Sequence, residues 1–154
     1  MAATLQIVAV GRLSAQMEPA FQHYRRLLTG LAPLTVREVR EVPLQGRSPA
    51  EVLRDEANRL LPTLEGVRRV VALDVEGKRY TSEEFSGWLA RLLECGDAAF
   101  VVGGSLGLDE RVKRRADELL SLSPLTLPHQ LTRVVLAEQL FRALKIARGE
   151  RYHH

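Results

Sequence analysis

The sequence predicts an α/β domain: a mostly parallel sheet with helices on both faces. Three observations carry this reading. Apolar β-branched runs alternate with amphipathic segments along the chain. Two capping boxes, at Ser48 and Thr81, open helices between those runs. No linker, repeat or low-complexity stretch interrupts the alternation, and 154 residues suit one domain spanning 1–154.

Residues 4–10 (TLQIVAV) are apolar and β-branched and close on Gly11, which reads as a buried strand. Over 18–31, Phe21, Tyr24, Leu27, Leu28 and Leu31 recur at helical spacing. The run 34–42 (LTVREVREV) is short and bordered by Pro33 and Pro43, so it reads as a strand although Val36, Val39 and Val42 recur every three. Ser48-Pro49-Ala50-Glu51 puts a cap, a proline and a capping glutamate at the start of the next helix. Residues 67–73 (VRRVVAL) form a strand ending at Asp74, and Thr81-Ser82-Glu83-Glu84 caps a helix that Gly96 closes. The strand 98–102 (AAFVV) runs into Gly103-Gly104; a helix is expected over 109–120, an extended run and loop over 121–128, and a last helix over about 131–148. That helix carries Val134, Val135, Leu136, Leu140, Phe141, Leu144 and Ile146. It is apolar nearly all round, so a second copy of the chain is expected to cover part of it.

Composition narrows the function classes. A charged fraction of 27% with 45% hydrophobic residues excludes a disordered chain. The lone Cys95 excludes an internal disulfide and a cysteine-cluster zinc site and points to a reducing interior. The longest run without Asp, Glu, Lys or Arg, 119–132, holds two prolines and is too short for a bilayer. The first residues read as a strand rather than a leader, so a soluble cytoplasmic protein is expected. A net charge of +3 does not by itself name a partner. Two basic clusters (Arg111, Lys113, Arg114, Arg115 and Arg142, Lys145, Arg148, Arg151) read as solvated helix faces, with nucleic acid left open.

In sheets of this kind ligands sit beyond the carboxyl ends of the strands. Attention therefore falls on Leu73-Asp74, Gly103-Gly104 and the 123–128 loop. Gly103-Gly104-Ser105-Leu106-Gly107 imitates a hydrolase nucleophile elbow, but too little chain follows to supply the remaining strands of that fold. It also lacks the spacing of a dinucleotide fingerprint. What survives is a strand exit where glycines let a ligand approach the backbone, or simply a turn. His129, His153 and His154 have neither an i,i+4 pair nor acidic partners, so no metal is expected. Glu138 and Arg142 sit four apart on one helix, as an ordinary ion pair would.

The segments LDVEGK (73–78), VVGGSLGL (101–108) and SLSPLTLPHQLTRVVLAEQLFRALKI (121–146), with Tyr152-His153 and the N-terminal LQIVAVG, resemble the bacterial ribosomal large-subunit methyltransferase H family, the smallest SPOUT-type RNA methyltransferases. The resemblance covers essentially the whole chain. It implies a C-terminal deep trefoil knot, which periodicity could not show. It also implies a homodimer and methylation of N3 of a pseudouridine in 23S rRNA within the 70S ribosome, with S-adenosylmethionine as cofactor. Leu73 would pack beside the adenosine, Gly103 and Gly104 would pass close to the cofactor, and Ser123, Pro124, Leu125, Thr126, Leu127 and Pro128 would wrap the adenine. At the catalytic end, Tyr152 and His153 would reach the partner's site, Arg142 and Arg133 would hold phosphate or a base carbonyl, and Glu138 would orient Arg142. His129 and Arg151 are further RNA contacts by the same resemblance; Arg151 matters because His154 stands where members usually carry Arg or Lys. Two alternatives stay open: a non-catalytic rRNA-binding assembly factor on the same scaffold, and an enzyme acting on another RNA such as tRNA.

Overall fold

Strands that are apolar at every position need cover on both faces, and the chain supplies it from alternate sides. The structure is a computed structural model that describes residues 3–152. In order it holds β1 (Leu5–Val10), α1 (Glu18–Leu28), β2 (Leu34–Val39), α2 (Pro49–Leu60) with a 3-10 turn at Leu61–Leu64, β3 (Arg69–Lys78), α3 (Ser82–Glu94), β4 (Ala98–Val102), α4 (Glu110–Arg115), β5 (Glu118–Leu120) and α5 (His129–Ala147). The five strands form one all-parallel sheet in the order β2-β1-β4-β3-β5. The expected α/β class with helices on both faces is what the structure shows.

Alternation along each strand divides the core. Leu5, Ile7 and Ala9 of β1, with Phe100 and Val102 of β4, face α1, α3 and α5. Val8, Val10, Ala99 and Val101 face α2 and α4, where Leu60 and Val112 meet them. Burying one such side chain contributes roughly 1.5–3 kcal/mol, so the central strands β1 and β4 anchor the domain. The capping box expected at Thr81 forms in full, and at Ser48 the hydroxyl cap forms without the return bond to the backbone. The Ser48 hydroxyl accepts from Glu51 N at 3.2 Å, and Thr81 and Glu84 exchange bonds of 3.2 and 2.8 Å. Trp88 of α3 ties the face to the sheet edge, its indole N–H donating to Glu118 at 2.7 Å.

The structure corrects the sequence reading at two joined places. The helix expected over 109–120 stops at Arg115; Ala116 is extended and Glu118–Leu120 is a strand. The edge of β3 captures it, since Asp117 N donates to Val70 O and the Asp117 carboxylate accepts from Val70 N, both at 2.8 Å. Leu119 then packs on the α2/α4 side and Leu120 on the α1/α3/α5 side, as a strand requires. The strand expected to end at Asp74 instead resumes at Lys78. Leu73 and Lys78 both lie opposite Leu120, so 74–77 is an excursion around the end of β5. At Gly77 the two chains cross so closely that a Cβ would lie 2.6 Å from the Leu119 carbonyl carbon; only glycine fits there.

Smaller differences concern ends. β2 stops at Val39, and Val42 is buried outside the sheet; α1 ends at Leu28, and α5 begins at His129 rather than 131. The apolar girth of α5 is used largely within the chain. Leu136, Ala137, Leu140, Phe141 and Ala143 are buried in the core shared with α1 and α3, while Leu131, Val135 and Ile146 stay half-buried.

Candidate functional site

The three strand exits of β3, β4 and β5 open onto one cleft of about 690 Å³. Leu73 borders it from β3, Gly103 and Gly104 from β4, and Ser123, Leu125, Thr126, Leu127, Pro128 and His129 from the loop leading into α5. Pro124 belongs to the same loop but is not part of the lining. A wall this tight depends on glycine. A Cβ on Gly103 would meet the Gly107 carbonyl, with its carbon at 2.6 Å, and one on Gly104 would press on Val10 Cγ1 at 3.2 Å. The turn closes through Gly107 N to Gly104 O at 3.1 Å. Opposite, the loop's hydroxyls hold its own backbone: Ser121 donates to Ser123 O at 3.0 Å, and Leu125 N donates to the Ser123 hydroxyl at 2.9 Å. The result is a slot with bare backbone on one side and Leu125, 75% exposed, over the other.

Behind Gly104 stands the buried Glu56 of α2, whose carboxylate accepts from Val42 N at 3.1 Å. Burial pushes its carboxyl above the ordinary value, against the weaker pull of that hydrogen bond. The folded state thus favours the protonated form. Its contribution is full below the ordinary value of 4.5 and is lost as pH rises through the raised one. Glu56→Gln is expected to melt above the native chain at neutral pH, with the gap closing below pH 4.5; melting curves across pH check this, and a pH-independent gap would refute it.

A second cluster lies near the end of α5. The Arg142 guanidinium donates to one Glu138 oxygen from Nη2 at 2.7 Å and Nε at 3.1 Å, and its Nη1 reaches Tyr152 O at 3.4 Å. It lies 4.9 Å from the centre of the Tyr152 ring, which meets Phe141 edge-on at 4.8 Å. Burial, then the Glu138 carboxylate, pushes the Tyr152 phenol up, so it keeps its proton at neutral pH. Helical spacing predicts the Glu138–Arg142 pair; the structure adds Tyr152 and makes it a three-residue platform. Arg151 is exposed beside it, and His153 lies outside the described residues.

Within one chain the two clusters do not meet. Thr132 borders the cleft, and Arg142 is ten residues further along the same helix, roughly 15 Å at the helical rise.

Arg133 does not fit its expected role. It is 1% exposed, and its guanidinium is committed to Glu38 at 2.6 Å, Val10 O at 2.9 Å and Gly11 O at 2.6 Å. It offers no surface to a phosphate. It shares the buried face of α5 with Leu136, Ala137 and Leu140, and its length carries the guanidinium to the carbonyls leaving β1. Gln130 works alongside, accepting from Ser14 N at 2.7 Å and donating to Arg12 O at 2.8 Å. The basic cluster on α4 is also less free than a solvated face. Lys113 pairs with Asp74 on the cleft rim, and Arg115 donates to Leu64 O and Val67 O. Lys113 borders the cleft and Glu56 packs behind its Gly104 wall, and the sequence reading singles out neither. The charge run hides Lys113, whereas Glu56 stands four residues from both Val52 and Leu60, on the buried side of α2.

Among the described residues no group of three or more His, Cys, Asp or Glu could hold a metal ion. No helix among them is long and apolar enough to cross a membrane.

A family model described as Predicted SPOUT methyltransferase matches residues 3–153. The chain is 48% identical over 151 residues to the ribosomal RNA large subunit methyltransferase H of Rubrobacter xylanophilus, covering 96% of each. It is 42% identical over 161 residues to the protein of that name from Listeria welshimeri, covering 97% of this chain and 98% of the relative. A probable methyltransferase from Bordetella pertussis shares the fold with a TM-score of 0.56 at 16% identity, over 92% of this chain and 95% of that one. A probable methylase family protein from Haemophilus influenzae does so with a TM-score of 0.61 at 11% identity, over all of this chain and 72% of that one.

Proposed function

The chain belongs to the SPOUT methyltransferase family, and from that premise we propose that it transfers a methyl group from S-adenosylmethionine to N3 of a pseudouridine in 23S rRNA on the assembled ribosome. The observation that carries the reading is the glycine-walled cleft, which gathers three strand exits around a slot of nucleoside size. The names of the relatives, ribosomal RNA large subunit methyltransferase H, favour rRNA over other RNA. The tight crossing of β3 and β5 at Gly77 supports the knotted threading.

Leu73, Gly103, Gly104 and the 123–128 loop would hold the cofactor, the glycines admitting it against bare backbone and the loop's N–H and C=O groups reading the adenine edge. S-adenosylmethionine, when bound there, supplies a methyl group already activated on a sulfonium. The chain itself needs little acid–base chemistry, because an imide N3–H between two carbonyls is acidic for a nucleobase nitrogen. Its task is to hold an extruded base in line and to stabilise the developing imide anion. Arg142 suits the second role: Glu138 fixes its plane, and the guanidinium presents several donors in a rigid fork. Tyr152, neutral and braced on Phe141, suits stacking or hydrogen bonding to the base. His153 is the proposed group for accepting or orienting the N3 proton, and Arg151 for a phosphate.

Because cleft and platform are separated along α5, the complete site takes the cleft of one protomer and the tail of another. The half-buried Leu131, Val135 and Ile146 are consistent with a homodimer. Arg142→Ala and Tyr152→Ala should each bind cofactor within about twofold of the native chain yet slow methyl transfer by about 100-fold. A mixture of Arg142→Ala with a cleft-defective variant should recover about a quarter of native activity, since half the two-fold dimers then carry one intact composite site. Additive activities, with no recovery, would place the whole site within one chain.

The deciding experiment is methyl transfer from labelled cofactor to 70S ribosomes, 50S subunits and bulk tRNA from a strain lacking the modification. Label at a single 23S pseudouridine is the expected result. Label on tRNA alone would move the substrate, and cofactor binding without label on any RNA would leave a non-catalytic rRNA-binding factor.

A further inference from the structure

One ion pair on the cleft rim is not needed to hold the elements that carry it. Asp74, at the start of the excursion from β3, lies 3.3 Å from Lys113 Nζ on α4, with side chains 15% and 24% exposed. The helix α4 is secured without the pair, by the Asp109 cap to Arg111 N, by the buried Val112, and by Arg115 on the carbonyls of Leu64 and Val67. The excursion is secured at its far end by the pairing of Lys78 with Leu120. Both side chains border the cleft. They also stand on the side of the sheet opposite α5 and His129, because α4 and α5 cover opposite faces.

We propose that Asp74 and Lys113 receive the amino-acid end of the cofactor, Lys113 taking the α-carboxylate and Asp74 the α-ammonium; this rests on the cofactor reading above. A zwitterion laid against a preformed ion pair aligns two opposite dipoles without rearranging either side chain. The capacity is present. Lys113 has three donors and shares them only with Asp74 and, at 3.6 Å, with the exposed Glu110. One Asp74 oxygen meets Lys113 and the other only Glu76 N at 3.5 Å, which leaves acceptor sites open on both. Partial burial keeps the pair from being screened as a surface pair would be. The loop at 123–128 lies across the cleft, so adenine at one end and amino acid at the other span the same slot.

The test compares two uncharged-sulfur nucleosides by calorimetry. S-adenosylhomocysteine carries the amino-acid end, and 5′-methylthioadenosine lacks it. The native chain is expected to bind the first at least about tenfold more tightly, the yield of one or two charge-assisted hydrogen bonds in a partly wet site. Lys113→Met and Asp74→Asn should each remove most of that preference while leaving methylthioadenosine within about twofold, which also reports that the cleft is intact. Loss of both ligands alike in the variants would make the pair a structural brace and overturn the proposal. A native chain that binds both nucleosides equally would overturn it while the cofactor reading stands. A native chain that binds neither would overturn both.

Discussion

Arg133→Met is expected to lower the unfolding free energy by about 3 kcal/mol, toward the cost of removing one partner from a buried charge pair. Methionine keeps most of the volume and the apolar stem, so the loss isolates the guanidinium. Two carbonyls, Val10 O and Gly11 O, lose their donor in a place where water does not reach the arginine. Each such orphan costs roughly 1–3 kcal/mol. Glu38, about a third exposed, contributes the smaller share because water recovers part of its loss. Arg133→Lys should fall between, since one ammonium cannot bridge both carbonyls and the carboxylate. Urea unfolding followed by Trp88 fluorescence gives the numbers. A cost below about 1 kcal/mol would reopen the expectation that Arg133 faces a phosphate.

Gly103→Ala should abolish detectable binding of S-adenosylhomocysteine, a loss of 100-fold or more at an order-of-magnitude level. The added methyl collides with the Gly107 backbone rather than with a flexible side chain, so the 103–107 turn must open. Opening it breaks the Gly107–Gly104 hydrogen bond and moves the wall of the cleft. The stability cost is smaller, about 1–3 kcal/mol for overpacking, because the turn lies at the edge of the core. Binding by calorimetry and melting temperature measured together separate the two. Near-native affinity in a folded Gly103→Ala chain would mean that the glycine only makes a turn.

The tail cluster shows how far local spacing carries. Glu138 and Arg142, four apart on a helix, had to meet wherever that helix formed. That Tyr152 would close over them depends on a return of the chain after Arg148 that no periodicity encodes. The cleft was legible for a different reason. Parallel strands place their ends on one side, so the exits at 73–74, 103–104 and 123–128 converge once the sheet is parallel. Glu118–Leu120 was illegible because three residues hold too little pattern to tell a strand from the last turn of a helix.

What the sequence determined by itself was whatever depends on near neighbours: the apolar strands, the two capped helices, and the glycines at strand exits. The tertiary structure alone decided which of several equivalent charges turned inward. Arg133 stands outside any charge run, in a helix that is apolar nearly all round, and Lys113 stands in a basic run that looks solvated. One is buried among the carbonyls of β1 and the other meets Asp74 at the cleft, because partners distant in sequence arrive there. A charge goes where its desolvation is offset, and only the folded chain brings together the groups that offset it.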